Sequence, residues 1–358
     1  MKSKRILDAL LAPMVAIIFS VVLASVILML FGANPIETFS KMINYAATPR
    51  SISLILNSAT TYYFSAVAVA IGFKMNLFNI GVNGQYRLAT AVGALVAGAL
   101  TFPGYISIPI VIIVSMLVGS LWAGIAAWLK VYRGVSEVIS TIMLNFIAIG
   151  LIAYLLAPNM LGVQTAENVV GTPVIPESGR FPGFSIPGSQ VPVYGMLFLA
   201  ALLGFVYWFI LNRTRFGFDL RSVGQSPSAA VASGVNVKRM TMYSMLLSGA
   251  VAGLVGLPLL LGAQYSFTVN FPGSYGFTGI AIALLGRNHP VGIAFGALLW
   301  AFLDVSSQIL DLVGVPREII VIMQGVIVLS VVIAYEITRR VKVRRQQDAV
   351  GKATAVAQ

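Results

Sequence analysis

The sequence predicts an all-α fold, a polytopic bundle of transmembrane helices, and three observations support this. Of the 358 residues, 58% are hydrophobic and only 9% are charged, whereas soluble domains carry roughly 25% charged residues. Apolar runs of about 20 residues, the length that crosses a bilayer, recur along the whole chain. Basic residues cluster between these runs, as they do in proteins oriented by the positive-inside rule. We therefore expect a multi-pass protein of the cell (cytoplasmic or inner) membrane, in contact with lipid and forming a single transmembrane domain over residues 1–358.

The apolar runs predict the positions of the crossings. They lie near residues 11–31, 54–72, 85–101, 106–128, 137–157, 191–211, 241–262, 290–310 and 317–337. A shorter apolar segment at 276–286 stands between turn-rich sequences and is either a half-helix or a short crossing. If this segment crosses, the bundle has about ten crossings and both termini lie on the same side.

The distribution of positive charge favours this even count. With the N-terminus in the cytosol, the outside loops contain only Lys41, Arg50, Arg180 and Arg317 of the 23 lysines and arginines. Without a crossing at 276–286, the basic tail 338–358 would lie outside. The predicted arrangement therefore has cytosolic N- and C-termini, an external loop at 158–192 rich in proline and glycine, and a cytosolic loop at 212–240.

Several classes of function are excluded by composition and motif. Cysteine is absent and His289 is the single histidine, so we expect no metal site. The net charge of +12 is divided among clusters between apolar runs, so we expect no nucleic-acid partner. No phosphate-binding G-x-x-x-x-G-K-[ST] loop, H-E-x-x-H or G-x-S-x-G motif occurs. We predict no catalytic residues and no enzymatic activity.

The loop 212–240 contains a short helix with both ends marked in the sequence. Ser226 is suited to cap its first amides, Pro227 fits the first turn, Ala229 and Ala230 favour helix, and Gly234 suits a left-handed stop. A basic loop that presents a small helix, with Arg221 just before it, indicates a docking site for a soluble partner. The alternative interpretation is a solvated connector.

A polar segment interrupts the apolar pattern between the second and third spans. It contains Asn79, Gly81, Asn83, Gly84 and Gln85, whose polar groups need protein or water around them at membrane depth. We expect it to re-enter the cytosolic side of the bundle. Arg87 and Glu137, near inner helix ends, either form an ion pair or are solvated at the membrane interface.

Deep polar residues are few. Asn57, Asn145 and Gln324 are neutral, and Asp304 is the one acid well inside a predicted span. Each amide either bonds a neighbouring helix or lines a route for a polar solute. Asp304 either bonds Ser307 or Gln308 or takes part in substrate or proton transfer.

Three motifs together resemble a known family. These are FKMNLFNIGVNGQ, RTRFGFDLRSVGQSPSAAVASGVNVKR and GFTGIAIALLGRNHPVGIAFGALL. In this order they resemble the permease subunits of bacterial ABC importers in the branched-chain amino acid, ribose and nucleoside group. The likeness covers nearly the whole chain and is greatest to the longer permeases of importers for guanosine and other purine nucleosides. The family commonly has G-V-E-G-Q where this chain has Asn83 in place of the acid.

The resemblance implies a set of partners and roles. Residues 226–234 would be the coupling helix that sits in a cleft of a separate ATPase subunit, which binds the ATP, so that this chain needs no cofactor. A homologous second permease and an extracytoplasmic substrate-binding lipoprotein would complete the importer. The substrate would be a nucleoside, with ribose-like sugars and branched-chain amino acids as alternatives. Another class, the ion-coupled secondary transporter, is disfavoured by the scarcity of deep charges.

Overall fold

The computed structural model describes residues 19, 21–157, 159–166, 169–310, 316, 318–330, 333, 337 and 340. Several expectations lie wholly or partly outside the described residues. They are the beginning of the first crossing, Arg317 and the end of the last crossing, residues 158, 167 and 168 of the external loop, and the tail 338–358 apart from residue 340.

The described chain is built almost entirely of helices. The helices are α1 Val21–Leu30, α2 Pro35–Ala46, α3 Pro49–Phe73, α4 Val82–Ala99, α5 Gly104–Arg133, α6 Glu137–Leu155, α7 Met196–Arg213, α8 Arg215–Gln225, α9 Pro227–Ala232, α10 Val237–Ala252, α11 Leu257–Leu259, α12 Tyr275–Leu285, α13 Pro290–Ser306 and α14 Glu318–Ser330. Short 3₁₀ turns occupy Glu177–Gly179 and Ser307–Ile309, and a π-helical turn occupies Leu260–Gln264. Two antiparallel strands, β1 Val163–Ala166 and β2 Val169–Gly171, form a small hairpin with Val163 opposite Gly171.

The predicted crossings all overlap helices of the described chain. Six helical segments there are long and apolar enough to span a membrane, or seven if α1 and α2 count as one bent span. The fourth helix, α4, is not among the six because its first turns carry Asn83, Gln85 and Arg87. The all-α, membrane-spanning class is confirmed, whereas the count of ten and the cytosolic termini stay predictions.

Helix α2 was not predicted from the sequence. It follows α1 after a break and a bend of 113°. The Oδ1 atom of Asn34 accepts a hydrogen bond from the backbone N–H of Ile36 at 3.1 Å, and Pro35 occupies the first turn. Lys41 Nζ lies 2.5 Å from Glu37 Oε1 one turn away. The Asn-Pro pair was the available signal for this helix.

Backbone contacts divide the chain into two compact units, Thr48–Phe302 and a smaller one made of Met1–Ala47 and Leu303–Gln358. We call the helical stretch Val237–Gln264, which begins with α10, the α10 span. In the larger unit, the most apolar 18-residue stretches of α3 and of the α10 span are 72% and 78% buried. The corresponding stretches of α5, α6 and α7 are 33%, 33% and 28% buried. The centre of this unit is therefore α3 and α10, and the outer helices expose apolar side chains. The single-domain organisation over 1–358 stays a prediction.

The α10 span does not end as a regular helix. Gly253–Gly256 form turns, the short α11 and the π-helical turn follow, and Tyr265 has a left-handed φ of +53°. Residues 265–274 then run without regular helix until α12 begins at Tyr275. Irregular backbone within a membrane bundle needs hydrogen-bond partners from the rest of the protein.

The loop 158–192 supplies those partners. The N–H of Thr172 donates to the carbonyl of Phe267 at 2.8 Å, and the N–H of Ile175 donates to the carbonyl of Tyr265 at 2.7 Å. The N–H of Phe181 donates to the carbonyl of Leu261 at 3.0 Å. In return, the N–H of Phe267 donates to Thr172 Oγ1 at 3.0 Å. The Arg180 guanidinium stacks 4.2 Å from the centre of the Tyr265 ring. The loop is thus a structural part of the larger unit.

Candidate functional site

Two consecutive helices form the loop 212–240. The side chain of Thr214 caps α8 by accepting from Gly217 N–H at 3.1 Å, and Ser226 caps α9 by accepting from Ala229 N–H at 3.4 Å. Gly234 follows α9 with a φ of +81°, a conformation that glycine adopts without steric cost. The short capped helix predicted from the sequence is confirmed. The longer α8 was missed, although the spacing of Phe216, Leu220 and Val223 indicates an amphipathic helix.

Helix α9 presents one face outward and holds the other inward. Val231 is 61% exposed, whereas Ala230 is only 2% exposed and belongs to the same buried core as Leu220 and Val223. The other exposed residues of this segment are Pro227, Ser228, Ala229, Ala232, Ser233 and Gly234. Of the predicted partner-binding residues, Ala230 therefore contacts this chain. A charge introduced there would disturb the loop itself and is not a clean test of docking.

Arg221 holds α8 against the end of α7. Its Nη1 atom donates to the backbone carbonyl of Leu211, and the amide of Asn76 donates to the carbonyl of Gly224 at 2.8 Å. Burial lowers the pKa of Lys74, and the positive charges of Arg221 and Arg287 lower it further. The support beneath α9 is therefore electropositive and attached to the α3–α4 connection.

The polar segment between α3 and α4 is a buried hydrogen-bonded network. The amide of Asn79 donates to Gln85 Oε1 at 3.0 Å and to Ser248 Oγ at 2.8 Å, and its Oδ1 accepts from Gln85 Nε2 at 2.9 Å. Gly81 N–H also donates to Asn79 Oδ1, at 3.1 Å. Ser248 Oγ donates onward to Ala68 O at 2.6 Å. These bonds join α3, α4 and α10, and whether the segment is re-entrant with respect to a membrane stays a prediction.

Asn145 on α6 completes this network. Its Oδ1 accepts from Gly84 N–H at 2.7 Å, and its Nδ2 donates to the carbonyl of Ile80 at 3.1 Å. A Cβ at Gly84 would lie 2.8 Å from the Cα of Asn145, so only glycine permits this approach. One end of the amide bonds α4 and the other bonds the connection just before it, as expected if Asn145 bonds a neighbouring helix and not a solute.

Asn57 has a similar arrangement elsewhere on α3. Its Nδ2 donates to Pro192 O at 2.9 Å, and its Oδ1 accepts from Tyr194 N–H at 2.8 Å. The buried amide therefore fastens α3 to the segment that leads into α7. The structure does not bring Asn57 together with the network around Asn145.

Asp304 and Gln324 belong to the smaller unit. Asp304 has an exposed side chain on α13, and its backbone carbonyl accepts from Ser307 Oγ at 2.6 Å. Gln308 Oε1 accepts from the hydroxyl of Tyr45 at 3.2 Å. Gln324 is buried on α14. Their role in a solute path stays a prediction.

The candidate ion pair between Arg87 and Glu137 does not form. Glu137 Oε2 lies 2.5 Å from Lys130 Nζ, and its Oε1 accepts from Phe78 N–H at 3.4 Å. Gly134, with a φ of +68°, turns the chain between α5 and α6 and brings Lys130 back to Glu137. Arg87 instead donates from Nη2 to the carbonyl of Val269 at 3.2 Å.

These features describe a membrane subunit that moves a solute. A bundle of helices long and apolar enough to span a membrane carries a short capped helix on an electropositive support, and the buried polar side chains of the described chain are hydroxyls and amides apart from Glu137. The chain belongs to the permease component family of the branched-chain amino acid transport systems, whose sequence profile matches residues 51–332. It is accordingly an ABC transporter permease, a transport subunit and not an enzyme.

Curated relatives agree with this assignment. The chain is 34% identical to the guanosine ABC transporter permease protein NupP of Bacillus subtilis, over 92% of this chain and 95% of the relative. It is 31% identical to the nucleoside ABC transporter permease protein NupB of Lactococcus lactis, over 91% of each chain. It is 30% identical to the glucose ABC transporter permease protein TsgB13 of Haloferax volcanii, over 96% of this chain and 93% of the relative. No solved structure matches the chain.

Proposed function

We propose that this permease imports nucleosides through the cell membrane and is driven by ATP that separate ATPase subunits bind. The observation that carries the proposal is α9, a capped helix whose outer face is exposed on a basic loop. Two relatives named as guanosine and nucleoside permeases, at 34% and 31% identity, support the substrate class. The buried polar side chains of the described chain are uncharged apart from Glu137, which suits an uncharged polar solute better than a strongly anionic one.

In this proposal the chain provides a path and no chemistry. The exposed face of α9 sits in a cleft of the ATPase, and Arg221 transmits its displacement to α7 through the bond to Leu211. Closure of the ATPase pair then moves the α9 helices of the importer and alternates access to the solute. Arg221 is a positioning residue in this scheme, since it contacts its own chain.

The remaining partners follow from exposed surfaces. Apolar side chains of the outer helices α5, α6 and α7 are available to lipid and to a homologous second permease. Strongly exposed examples are Leu117, Leu121, Ile139, Phe146, Phe198 and Phe205. The loop 158–192 is proposed to receive a substrate-binding lipoprotein, because its backbone bonds to 261–268 connect it to the interior.

A sugar is the second candidate substrate, and it is favoured by the relative named as a glucose permease. Branched-chain amino acids remain a third alternative through the name of the family. An ion-coupled carrier is disfavoured, because such a carrier would need titratable groups deep in the spans and few charges lie there.

The experiment that tests this function is uptake by proteoliposomes containing the assembled importer. We expect guanosine uptake that requires ATP, persists when ion gradients are collapsed, and is blocked by excess unlabelled nucleoside but not by the corresponding nucleotide. Gradient-driven uptake by the purified chain alone would establish an ion-coupled carrier. Inhibition by leucine or ribose, with none by nucleosides, would contradict the substrate while leaving the importer intact.

Topology can be tested by single cysteines, because the chain contains none. Cysteines at Ser185, Ser228 and Ala355 should react with an impermeant thiol reagent in intact cells at Ser185 only. Permeabilised cells provide the control, in which Ala355 should also be labelled. Labelling of Ala355 from outside intact cells would contradict the even number of crossings.

A further inference from the structure

Two buried polar atoms on α4 lack a hydrogen-bond partner among the described residues. They are Oδ1 of Asn83 and Nε of Arg87. Asn83 is only 6% exposed. The two residues are one helical turn apart, a spacing that places side chains on one helix face with Cβ atoms roughly 5–6 Å apart. One atom is an acceptor and the other is a donor, so their hydrogen-bonding needs are complementary.

The surroundings of this pair hold it in place. Arg87 Nη2 is anchored on the carbonyl of Val269 at 3.2 Å, and the Tyr86 hydroxyl donates to Pro272 O at 2.5 Å. A Cβ at Gly276 would lie 2.4 Å from the backbone N of Asn83, so the start of α12 rests directly on α4. The pair therefore lies where the irregular segment 265–274 meets α4.

Other polar side chains close to this pair are hydrogen-bonded, although Asn288 Oδ1 and Ser330 Oγ elsewhere in the described chain also lack a partner. Gln85, on the same turn of α4, exchanges two hydrogen bonds with Asn79. Asn145 satisfies both ends of its amide. A buried acceptor that lacks a partner destabilises a fold, so it points to a group that binds there from outside the chain.

A single hydroxyl group meets both requirements. Its oxygen accepts from the Arg87 Nε–H, and its proton is donated to Asn83 Oδ1. Tyr86, which lies between them on α4, is fully buried and packs against Tyr275, with ring centroids 5.9 Å apart. We propose that Asn83 and Arg87 bind a hydroxyl group of the transported solute, the sugar moiety of a nucleoside or a free sugar. This site deepens the proposed function and rests on it.

The first test separates a binding residue from a structural one. Asn83→Leu removes the unsatisfied oxygen at similar volume and should raise the thermal midpoint of the assembled complex. The matched control, Asn145→Leu, should lower it because that amide has two partners. A lowered midpoint for Asn83→Leu would mean that its oxygen has a structural partner, and would overturn the site.

The second test measures recognition of the hydroxyl during transport. Uptake is compared between guanosine and its 2′-, 3′- and 5′-deoxy analogues at concentrations that saturate the binding protein, so that the maximal rate reports the permease. The wild-type complex should prefer guanosine over one of these analogues by about tenfold, the effect of one hydrogen bond to a charged group. Asn83→Leu should reduce this preference to about twofold or less.

Arg87→Lys provides an independent variant, because it keeps the positive charge but lacks the forked donor that reaches both Val269 and the hydroxyl. Arg87→Lys should lose the same preference. If the Asn83→Leu complex does not assemble, the result for Arg87→Lys alone decides whether the hydroxyl site exists. Ribose and glucose with their deoxy analogues form a parallel arm that distinguishes a free sugar from a nucleoside. Unchanged preference in both variants overturns this site alone, whereas ATP-dependent uptake of none of these solutes by the wild type overturns the proposed function with it.

Discussion

A carboxylate at Val231 is expected to abolish uptake and to release the ATPase from the permease. Val231 is the large apolar residue exposed on α9, and docking would bury the introduced charge without a partner, at a cost of several kcal/mol. Because the side chain points outward, the Val231→Asp protein should still fold and insert. The measurement is copurification of the ATPase with the permease, together with ATP-dependent uptake.

Val174→Asp is the matched control for this variant. Val174 has a similar exposure of 57% but lies in the loop 158–192. Its substitution should leave copurification of the ATPase unchanged. If Val231→Asp copurifies and transports as well as the wild type, α9 is only a connector and the coupling role is lost.

Replacing Asn145 with leucine is expected to destabilise the permease and to leave its solute preference unchanged. The substitution leaves the Gly84 N–H and the Ile80 carbonyl without their side-chain partner in the interior. Each such group costs roughly 1–3 kcal/mol in soluble proteins and less in membrane bundles, so we expect a loss of about 1–4 kcal/mol. The measurement is the thermal midpoint of the detergent-purified complex.

Asn212→Leu is the corresponding control, because the Asn212 side chain is exposed at the end of α7. It should change stability by less than about 0.5 kcal/mol. A stable Asn145→Leu complex with altered solute preference would contradict the structural role and support the prediction that Asn145 lines the path.

The sequence predicted the long apolar helices well but missed those that depend on one-sided burial. A membrane span needs only length and apolar composition, and both can be read along the chain. Helix α2 begins at an Asn-Pro cap, and α8 depends on the spacing of Phe216, Leu220 and Val223. Both are amphipathic, so their average composition does not distinguish them from loops.

The roles of the polar residues could be predicted only in part. Sequence shows that Asn57, Asn83 and Asn145 are polar residues in an apolar chain, but not which atoms they meet. Those partners come from residues distant in sequence, such as Pro192 for Asn57 and Gly84 for Asn145. The same limit explains why the candidate Arg87–Glu137 pair does not form. The turn at Gly134 places Lys130 beside Glu137, and that arrangement cannot be read from the sequence.

The bonds between the loop 158–192 and residues 261–268 also bear on how the protein is made. Thr172 and Phe267 are 95 residues apart, so the loop is synthesised well before the segment that it stabilises. When residues 261–268 leave the ribosome, the loop 158–192 that they bond to has therefore already been synthesised. Surface loops generally accept insertions. A tag inserted between Thr172 and Phe181 would nevertheless separate the loop residues that bond to 261–268, and it is expected to impair folding of that later segment.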